Sequence, residues 1–212
     1  MNIVLIGATG YVGAKLLDEA LARGHAVTAI VTRPEKLAGR AGVTAVQADV
    51  QDPTALAAQL RGHDAVISAF SGHAQADVYD YYVRGITAVI GATKAANVPR
   101  LLVVGGAGSL EVAPGVQLVD TPAFPAQWKG TAEGARQALN LLRAEPALDW
   151  TMLSPAAHLE PGTRTGQFRL GADQLLVDAA GESRISLEDY AVALVDELER
   201  PAHRRARFCV AY

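Results

Sequence analysis

Apolar residues gather in short continuous runs, and between the runs they recur every third or fourth position. Ile3, Val4, Leu5 and Ile6 make the first run; Leu16, Leu17, Ala20 and Leu21 follow at helical spacing, and Arg23-Gly24-His25 breaks the pattern before a second run from Ala26 to Val31. A short continuous run bounded by turn residues reads as a strand buried on both faces, and the three-to-four spacing reads as an amphipathic helix. The same patterns predict strands at Val43–Ala48, Asp64–Phe70, Leu101–Val104 and Asp149–Leu153. They predict helices at Pro53–Leu60, capped by Asp52, at Asp77–Asn97 and at Thr131–Arg143. Ser186 opens a last helix with Asp189 three positions on as a capping box, and the alternating RFCVAY run closes the chain as a strand. Strand and helix alternate throughout, so the expected fold class is α/β, a Rossmann-type doubly wound parallel sheet.

Two stretches break the alternation. Glu111 to Gln127 is long, irregular and punctuated by proline, and residues 155–185 are rich in glycine and polar groups, with short strands expected at Gln167–Leu170 and Gln174–Val177. Segments of that length are commonly binding loops. They are expected to form a loop and a small C-terminal substrate cap over one domain spanning residues 1–212. Within the helices, the stripe Tyr79, Tyr82, Ile86, Val89, Ile90 and Thr93 reads as core or as a dimer surface. Glu188, Asp196, Glu197 and Glu199 read as a solvated face, and His203-Arg204-Arg205 as a polar turn.

The charge balance removes several classes of function. A net charge of −3, spread along a chain that is 50% hydrophobic, indicates neither a nucleic-acid surface nor a membrane-binding face. The N-terminus enters a strand with no basic segment before it, and no apolar stretch approaches a membrane span, so a cytoplasmic monomer or homodimer acting on a small molecule is expected. Cys209 is the only cysteine and reads as a small buried strand residue. No metal-ligand spacing is present.

The candidate chemistry begins at Met1–Gly13, MNIVLIGATGYVG, where the first strand runs into glycines at 7, 10 and 13 and then into a helix. Glycines at that spacing permit a tight turn, close approach of a pyrophosphate, and packing of the helix on the sheet. Gly7, Ala8, Thr9, Gly10, Tyr11, Val12 and Gly13 are therefore the expected phosphate-binding turn, with the helix N-terminus facing the anion. At the end of the second strand, where a carboxylate would select NAD, the chain has Thr32-Arg33-Pro34 with Lys36 close behind. Arg33 can stack on adenine and fork onto a 2′-phosphate, which favours NADP(H) over NAD(H). Asp49 either accepts from the adenine amino group, with Val50 covering the base, or is a turn aspartate. Ser68, Ala69 and Phe70 let the dinucleotide cross the sheet edge, and Pro155 ends the sixth strand at the same crevice. Gly105-Gly106-Ala107-Gly108 forms a second glycine turn there.

The glycine turn and the order of elements resemble the extended or atypical short-chain dehydrogenase/reductase superfamily. VVGGAGSL (103–110), DWTMLSPAA (149–157), PGTRTGQFRLG (161–171) and SRISLEDYAVALVDELERPAHRRARF (183–208) are similar to its NADH-flavin reductase branch, which is related to NmrA-like and biliverdin reductase B proteins. The resemblance covers nearly the whole chain and implies a nucleotide-binding reductase with a flavin or similar acceptor as substrate. One departure is the proton-transferring Tyr-x-x-x-Lys pair, whose only spacing match, Tyr11 and Lys15, falls in the phosphate-binding helix; the usual place holds Phe124-Pro-Ala-Gln-Trp128-Lys129.

Flavin or quinone reduction does not require that pair. Ser109 is then the candidate hydroxyl near the nicotinamide, or it satisfies the backbone of its own glycine loop. Phe124 and Trp128 either stack on a planar substrate or close the core, and His158 and Arg164 contact an anionic substrate from the cap or lie on the surface. Three functions follow: a reductase, an NmrA-like redox sensor, and a sugar-nucleotide epimerase or dehydratase, the last weakened by the missing pair.

Overall fold

The computed structural model describes residues 1–73 and 75–212. The first half follows the predicted alternation closely: β1 (Asn2–Ile6), α1 (Gly13–Ala22), β2 (Ala26–Val31), β3 (Val43–Gln47), α2 (Pro53–Leu60), β4 (Ala65–Ser68), α3 (Val78–Ala95) and β5 (Arg100–Val104). Beyond these lie β6 (Glu111–Ala113), β7 (Val116–Gln117), α4 (Ala126–Arg143), β8 (Asp149–Ser154), β9 (His158–Glu160), β10 (Arg169–Gly171), β11 (Arg184–Ser186), α5 (Leu187–Glu199) and β12 (Ala206–Ala211).

The main sheet has the order β10-β12-β8-β5-β4-β1-β2-β3, parallel except for the β10–β12 edge pair. The chain builds outward from β1 to β3, returns to the other side of β1 with β4, and continues through β5, β8 and β12. That reversal opens a crevice between the carboxyl ends of β1 and β4, where open α/β sheets bind their ligands. Alternation along the strands feeds two cores. Ile3 and Leu5 pack with α1 and α5 residues such as Leu16, Leu17, Tyr190 and Leu194, whereas Val4 and Ile6 pack with Leu56, Ile86, Val89 and Leu139 of α2, α3 and α4. Of the predicted stripe on α3, Tyr82, Ile86, Val89, Ile90 and Thr93 are buried and Tyr79 is exposed.

Three expectations change. Helix α4 starts at Ala126 instead of Thr131, because Pro125 takes up the N-cap position and Gly130 is not a break: a Cβ there would lie 2.8 Å from Val78 Cγ1, so the glycine lets α3 and α4 approach. The segment 111–127 accordingly shortens and is partly ordered as the β6–β7 hairpin and a 3₁₀ turn at Leu118–Asp120. Between 155 and 185, β9 pairs in parallel with β11, while β10 extends the main sheet; Gln174–Val177 forms no strand, only a bridge from Gln174 to Glu111. Finally, the acidic face of α5 is not simply solvated, since Glu197 is buried. Cys209 is buried and unbridged in β12. Among the described residues no helix is long and apolar enough to cross a membrane.

Candidate functional site

At the switch point β1 ends level with β4, Ile6 opposite Ser68. Gly7 then turns with φ +81°, its amide donating to Ile30 O at 2.9 Å, and Gly10 N donates back to Gly7 O at 2.9 Å. A Cβ on Gly7 would stand 2.6 Å from Ala69 O, and one on Gly13 would stand 2.1 Å from Gly7 O. The turn is thus as tight as backbone allows, bringing the start of α1 over the β1–β4 crevice. Helix α1 has no side-chain cap; Ala14, Lys15 and Leu16 N already donate to Gly10 O and Val12 O, so what the helix start offers an anion is its positive dipole end. Ala8 and Gly13 are buried, Val12 is half-buried, and Thr9, Gly10 and Tyr11 face outward. This cradle fits a dinucleotide pyrophosphate: small atoms line it and a side chain would fill it.

The side where adenosine is expected is open. Arg33 and Lys36 are both exposed past the end of β2, free to meet a phosphate. Asp49 is exposed and its Oδ1 accepts from Gln51 N at 2.9 Å, the turn-aspartate alternative, while Val50 is buried. On the other side Ser68 is buried and Ala69 contributes backbone to the turn. The Phe70 ring packs over Gly85 and lies 5.5 Å from the Tyr81 ring and 6.0 Å from the Tyr82 ring, so its side chain belongs to the α3 core and only its backbone lines the crevice. Pro155 is buried at the end of β8. Tyr11 donates to Leu159 O at 3.3 Å and Lys15 pairs with Glu188 at 2.9 Å, so neither takes part in a tyrosine–lysine relay.

Two expected residues are held elsewhere. Ser109 is buried, and its Oγ lies 3.4 Å from Nη1 of Arg207, a guanidinium that is itself buried and paired with Asp173. Its hydroxyl is tied to the sheet interior instead of the crevice. Arg164 forks onto Glu19 of α1, both contacts at 2.8 Å, and so straps the segment after β9 to the phosphate-binding helix. Hydrogen bonds from Arg164, with a smaller share from Arg23, hold the Glu19 carboxyl below the usual carboxylate range despite its burial. A carboxyl depressed on folding contributes stability above its unfolded pKa and loses it as pH falls through the folded value. Arg164→Ala should therefore lower stability by about 1 kcal/mol at pH 7, and the gap to wild type in thermal melts should close as pH falls from the ordinary carboxylate range through the depressed Glu19 value. A gap that persists in acid would show that packing, not charge, holds the strap.

The remaining expected residues lie at or near the surface. His158 is exposed on β9, Phe124 is half-buried, and Trp128 in the first turn of α4 is 53% exposed. Two neighbours, His73 and Thr131, carry no mark in the sequence. His73, after β4, meets the Trp128 ring edge-on at 6.1 Å, and its Nδ1 lies 3.3 Å from Thr131 Oγ. His73 keeps one edge in solvent, yet neighbouring atoms displace enough water to hold its pKa below the ordinary histidine value. Only a long-range contact, not local spacing, marks these two.

Residues 7–201 match the NAD(P)H-binding family. The chain belongs to that family. Among solved structures, a protein from Burkholderia pseudomallei proposed to be exported is 45% identical, each chain covered in full, with a TM-score of 0.91. A proposed epimerase from Bacteroides thetaiotaomicron is 44% identical over 100% of this chain and 96% of its own, at a TM-score of 0.94. A proposed NADH-flavin reductase from Streptococcus pneumoniae is 34% identical over 100% and 99%, at 0.85. These relatives share the family's fold and differ in the reactions and locations proposed for them.

Proposed function

We propose that this protein is an NADP(H)-preferring reductase that passes a hydride to a planar conjugated acceptor, a flavin or a quinone. The observation that carries this is the exposed Trp128 beside His73 at the crevice mouth, an aromatic platform where a dehydrogenase would place its tyrosine–lysine pair. The likeness to the proposed NADH-flavin reductase supports the same reading. When bound, the reduced nicotinamide would supply a hydride to the acceptor, and water the proton that completes the two-electron reduction. The chain's part is to hold the phosphates at the α1 turn, to select the 2′-phosphate with Arg33, and to bring the acceptor face to face with the nicotinamide.

Purified protein with NADPH should reduce at least one of riboflavin, FMN or a simple benzoquinone, followed by loss of nicotinamide absorbance. Failure with all of them overturns the reductase. For cofactor choice, Arg33→Ala should weaken NADP binding about 10- to 100-fold and NAD binding less than about twofold, the difference expected when a charge-assisted fork is lost. Equal weakening of both would remove the 2′-phosphate assignment. The missing tyrosine–lysine pair also suits a nucleotide sensor of the NmrA type. That function requires capture of a partner by the NADP-bound form and not by the NADPH-bound form.

A further inference from the structure

Three features meet at the mouth between β4 and β5. The loop after β4 carries His73, the first turns of α4 carry Trp128 and Thr131, and the second glycine turn lies beneath them. Helix α4 reaches this position because Gly106 and Gly108 lack side chains: a Cβ on Gly106 would be 3.1 Å from Ala135 Cβ, and one on Gly108 would be 2.7 Å from Ala132 Cβ. His73 therefore bridges two strands' loops across the opening, its Nδ1 3.3 Å from Thr131 Oγ. With Ser109 turned onto Arg207, the hydroxyl expected at this end of the crevice is directed inward.

We infer that His73, oriented by Thr131 and backed by Trp128, donates a hydrogen bond from Nε2 to a carbonyl oxygen of the planar acceptor. This rests on the reductase reading and names the group that recognises the substrate. The chemistry follows from the contacts. When the Thr131 hydroxyl donates to Nδ1, the neutral ring carries its proton on Nε2. The Trp128 ring stands at 81° to the imidazole, fixing its plane while leaving an apolar face open to a conjugated ring. As hydride arrives at an isoalloxazine or quinone, negative charge grows on a carbonyl oxygen of the acceptor. A donor already in place stabilises that charge, and a neutral imidazole does so without surrendering its proton. Desolvation of His73 agrees with the neutral form at pH 7.

The test compares His73→Ala, His73→Gln and Thr131→Val with wild type by three readouts: NADPH affinity, FMN binding to the NADP-loaded protein by flavin fluorescence, and steady-state reduction of FMN and a benzoquinone. His73→Ala should keep NADPH affinity within about twofold, weaken FMN binding about 3- to 10-fold, and lower kcat about 100-fold. His73→Gln, which keeps an N–H donor, should recover part of both losses. Thr131→Val, which frees the ring to turn, should fall between wild type and His73→Ala. Unchanged FMN affinity and kcat in His73→Ala, or glutamine no better than alanine, overturns the assignment while leaving the reductase intact. A wild-type protein that binds FMN but reduces nothing overturns the reductase reading instead, and the FMN titration still decides the role of His73.

Discussion

Gly10→Asp should abolish nucleotide binding while leaving the fold standing. Gly10 is exposed, and the nearest atom to a Cβ built there is Gly7 O at 3.2 Å, a contact that a shift of a few tenths of an ångström relieves. The carboxylate would project over the uncapped start of α1, where the pyrophosphate belongs, and like charges set against each other at a binding site cost several kcal/mol. Affinity for NADPH in calorimetric titration should fall at least 100-fold, with thermal unfolding nearly unchanged. Gly13→Ala supplies the contrast. Its Cβ would meet Gly7 O at 2.1 Å and Ala8 Cα at 3.2 Å, both backbone, so α1 itself must move. Binding should again be lost, this time with a clear loss of stability, of about 2 kcal/mol. Wild-type affinity in Gly10→Asp would mean that the phosphates do not lie over this turn.

The difference between these two glycines is invisible in the sequence, where both are letters of one spacing. What could be read there was whatever local pattern determines. Parallel strands buried on both faces announce themselves as apolar runs, so β1, β2, β4, β5 and β8 were legible, as was the turn joining β1 to α1. Three-residue strands such as β9 and β11 were not, because their partners rather than their composition make them strands. The site divides in the same way. Arg33 is marked by its distance along the chain from the glycines, and it is exposed past the end of β2. Spacing does not reveal that the Ser109 hydroxyl meets Arg207, 98 residues away, or that Arg164 meets Glu19, 145 residues away. His73 went unnoticed in a polar loop, since the threonine it meets lies 58 residues on.

Glu197→Ala should destabilise the protein by about 3 kcal/mol, the cost of taking one of two carboxylates from the buried Arg100 and the shared acceptor from the amides of Ala202 and His203. In sequence Glu197 belongs to an acidic helix face; in the structure its side chain is 3% exposed and surrounded by donors. Oε1 receives Arg100 Nη2 at 2.8 Å and His203 N at 2.9 Å; Oε2 receives Ala202 N at 3.1 Å and lies 2.8 Å from His203 Nδ1. His203, read as part of a polar turn, is held by this carboxylate and stacks on Phe208 with ring centroids 4.1 Å apart. Truncation would leave Arg100, whose side chain is 7% exposed, with Asp149 as its remaining ion-pair partner. For a chain of this size the loss corresponds to roughly 10 °C in Tm. Glu197→Gln, which keeps an acceptor oxygen but not the charge, should lose less. Arg100 and Asp149 open β5 and β8 at the amino ends of the strands, the end of the sheet opposite the glycine turn. Below the melting transition both variants should therefore bind NADPH like wild type, separating a stability defect from damage to the site. A Glu197→Ala protein that melts with wild type would restore the solvated acidic face and remove the network as a source of stability.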